Sequence, residues 1–131
     1  LPRGKWKRGF RGRKGGSSVL HIEHRVPISQ RPAQFSDRSN AGHWEGDLMQ
    51  FSDYKSVLVL HERSSRLTWI RHLPTKEAAV VARSIQTLLA PLPADLRQSI
   101  TFDNGTEFAH HYTLHEPLGI GTYFCRPPMY Q

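Results

Sequence analysis

Two aspartates sit in settings that suit phosphoryl transfer. Asp47 lies in Gly42-His43-Trp44-Glu45-Gly46-Asp47-Leu48-Met49, and Asp103 in Thr101-Phe102-Asp103-Asn104-Gly105-Thr106-Glu107-Phe108. Each falls in a short apolar run that reads as a β-strand. Displacement at a DNA backbone needs an activated attacking oxygen and a stabilised leaving oxygen, and two Mg²⁺ or Mn²⁺ ions about 4 Å apart serve both. Such hard cations take carboxylate oxygens as ligands. A lone aspartate is most often an exposed turn or strand-end acid, so the pair matters only if the intervening elements bring the two together.

The elements can do so. From His43 to Phe51 the side chains alternate, with His43, Glu45 and Asp47 on one face and Trp44 and Leu48 on the other. Ser56 to His61 is apolar on both faces and reads as an interior strand, while Arg66 to Arg71 has charged ends suited to a sheet edge. Tight turns make these three strands an antiparallel meander. A helix follows, with Thr75 as the expected N-cap and Ala78, Val81, Ala82, Ile85, Leu88, Leu89 and Leu92 on one face before Pro91 and Pro93 end it. Ser99 to Phe102 is a strand that delivers Asp103 into an Asn-Gly turn. Thr106 to about Leu118 reads as a short helix, and Gly119 to Cys125 as a fifth strand. Strand, strand, strand, helix, strand, helix, strand is the order of a ribonuclease-H-like α/β fold, a mixed five-stranded sheet with flanking helices. If the first strand neighbours the fourth, Asp47 and Asp103 can share a metal.

Charge points to a polyanionic partner. The 131 residues carry a formal net charge of +7. Arg3, Lys5, Lys7, Arg8, Arg11, Arg13 and Lys14 all precede the first acid, Glu23, and outside these the remaining 11 Lys and Arg balance 11 Asp and Glu. A glycine-rich block of like charge repels itself and is drawn to phosphates, which makes these seven residues the expected nucleic-acid-binding set. Residues 1–40 are expected to form this basic arm and an extended linker, and residues 41–131 a partial catalytic core. One cysteine, Cys125, allows neither an intrachain disulfide nor a Cys-based zinc site. No apolar run reaches the roughly 20 residues of a membrane span. The expectation is a soluble cytoplasmic protein, associated with the nucleoid when bound to DNA.

The two acid motifs, together with Leu60-His61-Glu62-Arg63-Ser64-Ser65-Arg66 and Leu73-Pro74-Thr75-Lys76, resemble the transposases of the bacterial insertion-sequence family numbered thirty. The resemblance runs from about Arg25 to Cys125. It implies a DDE integrase-type core acting on DNA, transposon ends and target, with Mg²⁺ or Mn²⁺; a homo-oligomer is a further partner to be expected. It makes Asp47 and Asp103 the first two catalytic and metal-ligating acids. It also implies a third, a glutamate on a helix after the fifth strand. The sequence stops at Gln131 without it, so the final catalytic helix is expected to be missing and this chain inactive by itself. The alternative is a noncatalytic nucleic-acid-binding remnant that relies on the basic arm.

Four further residues are candidates for supporting the acids. Glu45 shares the face of Asp47 but lies about 7 Å away along the strand. Glu107 is near Asp103 in sequence, Asn104 can orient Asp103 or a bound water, and His43 shares the Asp47 face. His111 and His115 are spaced as in some zinc sites, but lack a Glu motif and a third ligand, and read as surface histidines.

Deleting residues 1–16 should weaken DNA binding strongly and flatten its dependence on salt while leaving sequence preference nearly unchanged, because phosphate contacts position without specifying. A salt titration of binding in a chain starting at Ser17 checks this.

Overall fold

The computed structural model describes residues 22–36, 39–51 and 55–125. The basic residues from Arg3 to Lys14 lie outside these. Five strands form one sheet: β1 (His43–Gln50), β2 (Ser56–Glu62), β3 (Thr68–Leu73), β4 (Ser99–Phe102) and β5 (Gly121–Phe124), in the order β3-β2-β1-β4-β5. β1 to β3 are the antiparallel meander, with the apolar β2 inside and the charged β3 at the edge. β4 runs parallel to β1, and β5 parallel to β4. The ribonuclease-H-like arrangement expected from the order of elements is the one observed.

The helix α1 (Ala78–Leu89) buries Val81, Ala82, Ile85 and Leu89. They join Trp44, Leu58, Leu60, Ile100 and Phe102 in one hydrophobic cluster on one face of the sheet. Phe102 is held between Phe108, stacked at 4.4 Å, and Phe124 at 5.6 Å. No helix among the described residues is long and apolar enough to cross a membrane.

Two local expectations are corrected. Thr75 does not cap α1: the N-cap is Glu77, without a side-chain cap bond, and the Thr75 hydroxyl instead accepts the Glu77 N–H at 3.3 Å in a turn one step ahead of the helix. The expected helix over residues 106–118 is split into two 3₁₀ turns, Thr106–Phe108 and His111–Leu114, and one α-helical turn, α2 (His115–Leu118). The buried residues Phe108, His111 and Leu114 recur every third position, which fits three residues per turn better than 3.6.

The segment from Ile22 to Ser36 is a strap. His111, buried at 2 % exposure, bonds through Nε2 to the Glu23 carbonyl at 2.7 Å and through Nδ1 to the Thr122 hydroxyl at 2.7 Å. It is therefore a core histidine, not a surface one; the apolar spacing around it, not its own type, was the signal. The strap then follows the β5 edge, where the Phe124 N–H donates to the Val26 carbonyl at 2.8 Å and Pro27 bridges to Phe124. Two 3₁₀ turns, Ile28–Gln30 and Ala33–Ser36, carry it over the sheet face opposite α1. There Arg31 donates to the Thr101 hydroxyl at 2.8 Å and Phe35 packs on His43 at 4.2 Å.

Two glycines make the β1–β4 junction. Gly42 has φ +93°, and its carbonyl accepts the Gln98 and Ser99 N–H groups. At Gly46, a Cβ would lie 2.8 Å from the Phe102 ring. Replacing a strand glycine with alanine gains about 0.5–1 kcal/mol of chain entropy, but overpacking a filled core costs about 1–3 kcal/mol. Because Phe102 is confined by two rings, Gly46→Ala should destabilise the fold by about 1–2 kcal/mol net, read as a lower urea midpoint at unchanged slope.

Candidate active site

The register of β1 on β4 places the acids. His43 pairs with Ser99, Trp44 with Ile100, Glu45 with Thr101 and Gly46 with Phe102. One step further, Asp47, still within β1 and paired with Val59 of β2, and Asp103, just past the end of β4, lie side by side on the face opposite α1. Their carboxyl groups are neighbours, and the Asp103 pKa is raised to about 6, first by desolvation, then by the adjoining Asp47 carboxyl and by the charge of Glu107. One N–H works against this: Gly105 donates to Asp103 Oδ1 at 3.0 Å. Asp47 Oδ1 accepts the Leu48 N–H at 2.9 Å. Both residues are exposed, so the pair is open to a ligand.

The four supporting candidates take different places. Glu107 folds back beside the pair, its carboxylate filling the space that a Cβ on Gly105 would need. Glu45 turns toward Arg63, with Oε2 3.6 Å from Nε. His43 is buried at 3 % exposure, its Nδ1 bonded to the Ser99 hydroxyl at 2.8 Å, and burial followed by the charge of Arg31 lowers its pKa. It is a structural tie at the start of β1 and β4. Asn104 points its amide away from Asp103, toward Arg25 and the Cys125 carbonyl.

Three residues of the site surroundings were not singled out from sequence. Glu62, buried on β2, accepts the Gly42 N–H at 2.9 Å and the Ser65 N–H and hydroxyl at 2.7 and 2.6 Å. Burial raises its pKa, yet these bonds outweigh it and hold the carboxyl below its usual value. Arg25 and Arg31 come from the strap, 79 and 70 residues from their partners Asn104 and Thr101. No local pattern marks contacts of that range. Among the described residues, no three His, Cys, Asp or Glu side chains form a group able to hold a metal; this applies to His111 and His115 as well as to the aspartates.

The acid pair has a pH signature. Since Asp103 is raised above 3.8 to about 6, its folded form holds the proton more tightly than the unfolded chain. Its contribution to stability is present below pH 3.8 and is lost as pH rises through about 6. Asp103→Asn should abolish that loss. Asp47→Asn should lower the Asp103 midpoint only part way, because desolvation is the larger cause; the Asp103 carboxyl ¹³C shift followed against pH measures both.

No family model matches the chain. It is 35% identical over 115 residues to the transposase InsI for insertion sequence element IS30C of Escherichia coli (strain K12), covering 88% of this chain and 30% of that protein. It is 39% identical over 107 residues to the transposase for insertion sequence element IS1086 of Cupriavidus metallidurans, covering 81% of this chain and 32% of that protein. The chain thus spans about a third of the length of these relatives. In structure it is similar to the catalytic core domain of BIV integrase, with a TM-score of 0.56 and 24% identity over 67% of this chain and 57% of that one; that likeness concerns the fold. Over the segment it spans, the chain belongs to the IS30 family of transposases, on a ribonuclease-H-like sheet of the integrase-core type.

Proposed function

We propose that this chain supplies the sheet and the first two acids of a metal-dependent transposase core that cuts and joins DNA strands. The observation that carries the reading is the juxtaposition of Asp47, on β1, with Asp103, where the parallel β4 ends, the Asp103 pKa being raised to about 6 by desolvation and by its neighbour. Two carboxylates pressed together in the open are a strained arrangement without a cation, and one the charge of Mg²⁺ or Mn²⁺ relieves. The donor set fits a hard divalent ion through Asp47 and Asp103. When bound, such an ion stabilises the charge that develops on the attacking and leaving oxygens of phosphoryl transfer.

The chain's own residues contribute position and charge. β1 and β4 fix the two carboxylates, and Glu107 adds negative charge beside them. The strap seals the sheet face next to the pair through Arg31 and Phe35. Beyond it, Met49, Phe51 and Ile70 remain exposed at 48%, 49% and 70%, so the acid-bearing face is open to a large partner such as DNA. The seven basic residues from Arg3 to Lys14 add attraction for phosphates that does not depend on sequence.

Two acids hold one ion weakly and do not anchor a second. The 131-residue chain should therefore bind Mn²⁺ through Asp47 and Asp103 yet show no Mg²⁺- or Mn²⁺-dependent nicking or strand transfer above that of Asp47→Ala. Robust cleavage abolished by Asp47→Ala would show that a third ligand is present, with Glu107 the first to replace. Failure of Mn²⁺ to bind at the pair would remove the metal reading and leave a nucleic-acid-binding segment.

A further inference from the structure

We infer that Arg25, in the strap, is a positioning residue for Asp103. Its guanidinium donates from Nε and Nη2 to Asn104 Oδ1 at 3.0 and 2.7 Å, and from Nη2 to the Cys125 carbonyl at 2.9 Å. Asn104 Nδ2 donates to the same Cys125 carbonyl. The three groups form a closed triangle between the strap, the turn that follows Asp103 and the end of β5. The Arg25 guanidinium carbon also stands 5.8 Å from the centre of the Phe124 ring.

The triangle has a direction of action. Within its own turn Asp103 accepts the Gly105 N–H, a bond that travels with the turn. What fixes the turn to the rest of the molecule at this point is Asn104, and both ends of its amide are committed to the triangle. The strap end is itself anchored, since the next residue, Val26, accepts the Phe124 N–H at 2.8 Å. A planar fork suits this geometry, because two donors converge on one oxygen while one reaches a second acceptor. A lysine ammonium supplies the charge as a single point on a flexible stem and cannot reproduce it.

Asp103 is thus aimed at Asp47 by a residue 79 positions from Asn104. Partners that orient a metal's carboxylate ligands typically change metal affinity about 10- to 100-fold when replaced. The inference rests on the reading of Asp47 and Asp103 as a cation-holding pair, and two measurements separate the two ideas. In Arg25→Lys, amide relaxation without metal should show greater mobility confined to residues 103–105, with the melting temperature nearly that of the parent. Mn²⁺ added to both chains, with paramagnetic broadening read at residues 47 and 103–105, should bind the variant about 10-fold more weakly. An Asn104→Ala change should give the same weakening, and combining it with Arg25→Lys should add little. Turn mobility without Mn²⁺ binding in either chain would keep Arg25 as the turn's anchor and overturn the metal reading. A rigid turn and unchanged Mn²⁺ affinity in Arg25→Lys would overturn the inference.

Discussion

The parallel pairing of β1 with β4 is the constraint on which the site depends. A parallel pair cannot be closed by a tight turn and needs a crossover, here β2, β3 and α1. The crossover leaves the register to be set by side chains and backbone rather than by a loop. Gly42 does this at one end, where its carbonyl receives the first two N–H groups of the β4 side. Gly46 does it at the other, where the absence of a side chain lets the Phe102 ring lie against β1. With those two points fixed, Asp47 and Asp103 have nowhere to go but side by side, although like charge opposes it. The fold holds the two acids side by side, and the raised Asp103 pKa records first the desolvation of its carboxyl there and only then the presence of Asp47.

The strap extends the same logic to residues outside the sheet. Its hydrogen bonds fall at the ends and faces that the five strands leave open: Glu23 on His111, Arg25 on Asn104 and Cys125, Val26 on Phe124, Arg31 on Thr101. Val26 and Pro27 cover the β5 edge, and an uncovered edge is a template for unwanted pairing. Pro27 suits an edge because it needs no ladder partner for a backbone N–H. Prolines that read as breakers of regular structure thus mark where the chain turns around the sheet.

The fold was largely legible in the sequence. Strand alternation around Asp47, the two-sided apolar run of β2 and the helical stripe of α1 each encode burial directly, and burial decides these elements. Residues 106–118 were less legible, because an apolar spacing of three and one of four share several positions and only the packed structure separates 3₁₀ from α turns. Thr75 failed as a cap for a similar reason: its hydroxyl serves a turn that a capping pattern does not distinguish from a helix start. Within the site, the meeting of Asp47 and Asp103 followed from strand order. The partners of Asn104 and Thr101 did not, since an arginine in a polar, proline-rich stretch carries no sign of what it reaches across 70 or more residues.

The separation of the two strands also sets an order of events in time. His43 and Ser99, the first contact of the β1–β4 pair, are 56 residues apart. At about 5–20 residues per second, a ribosome needs roughly 3 to 11 s to make that stretch. The meander and α1 are local and can form during this interval, but contacts at such range come late because loop closure must precede them. The growing chain therefore carries Asp47 alone on an unfilled edge for seconds before Asp103 arrives. The acid pair is a property of the finished sheet and of no earlier stage.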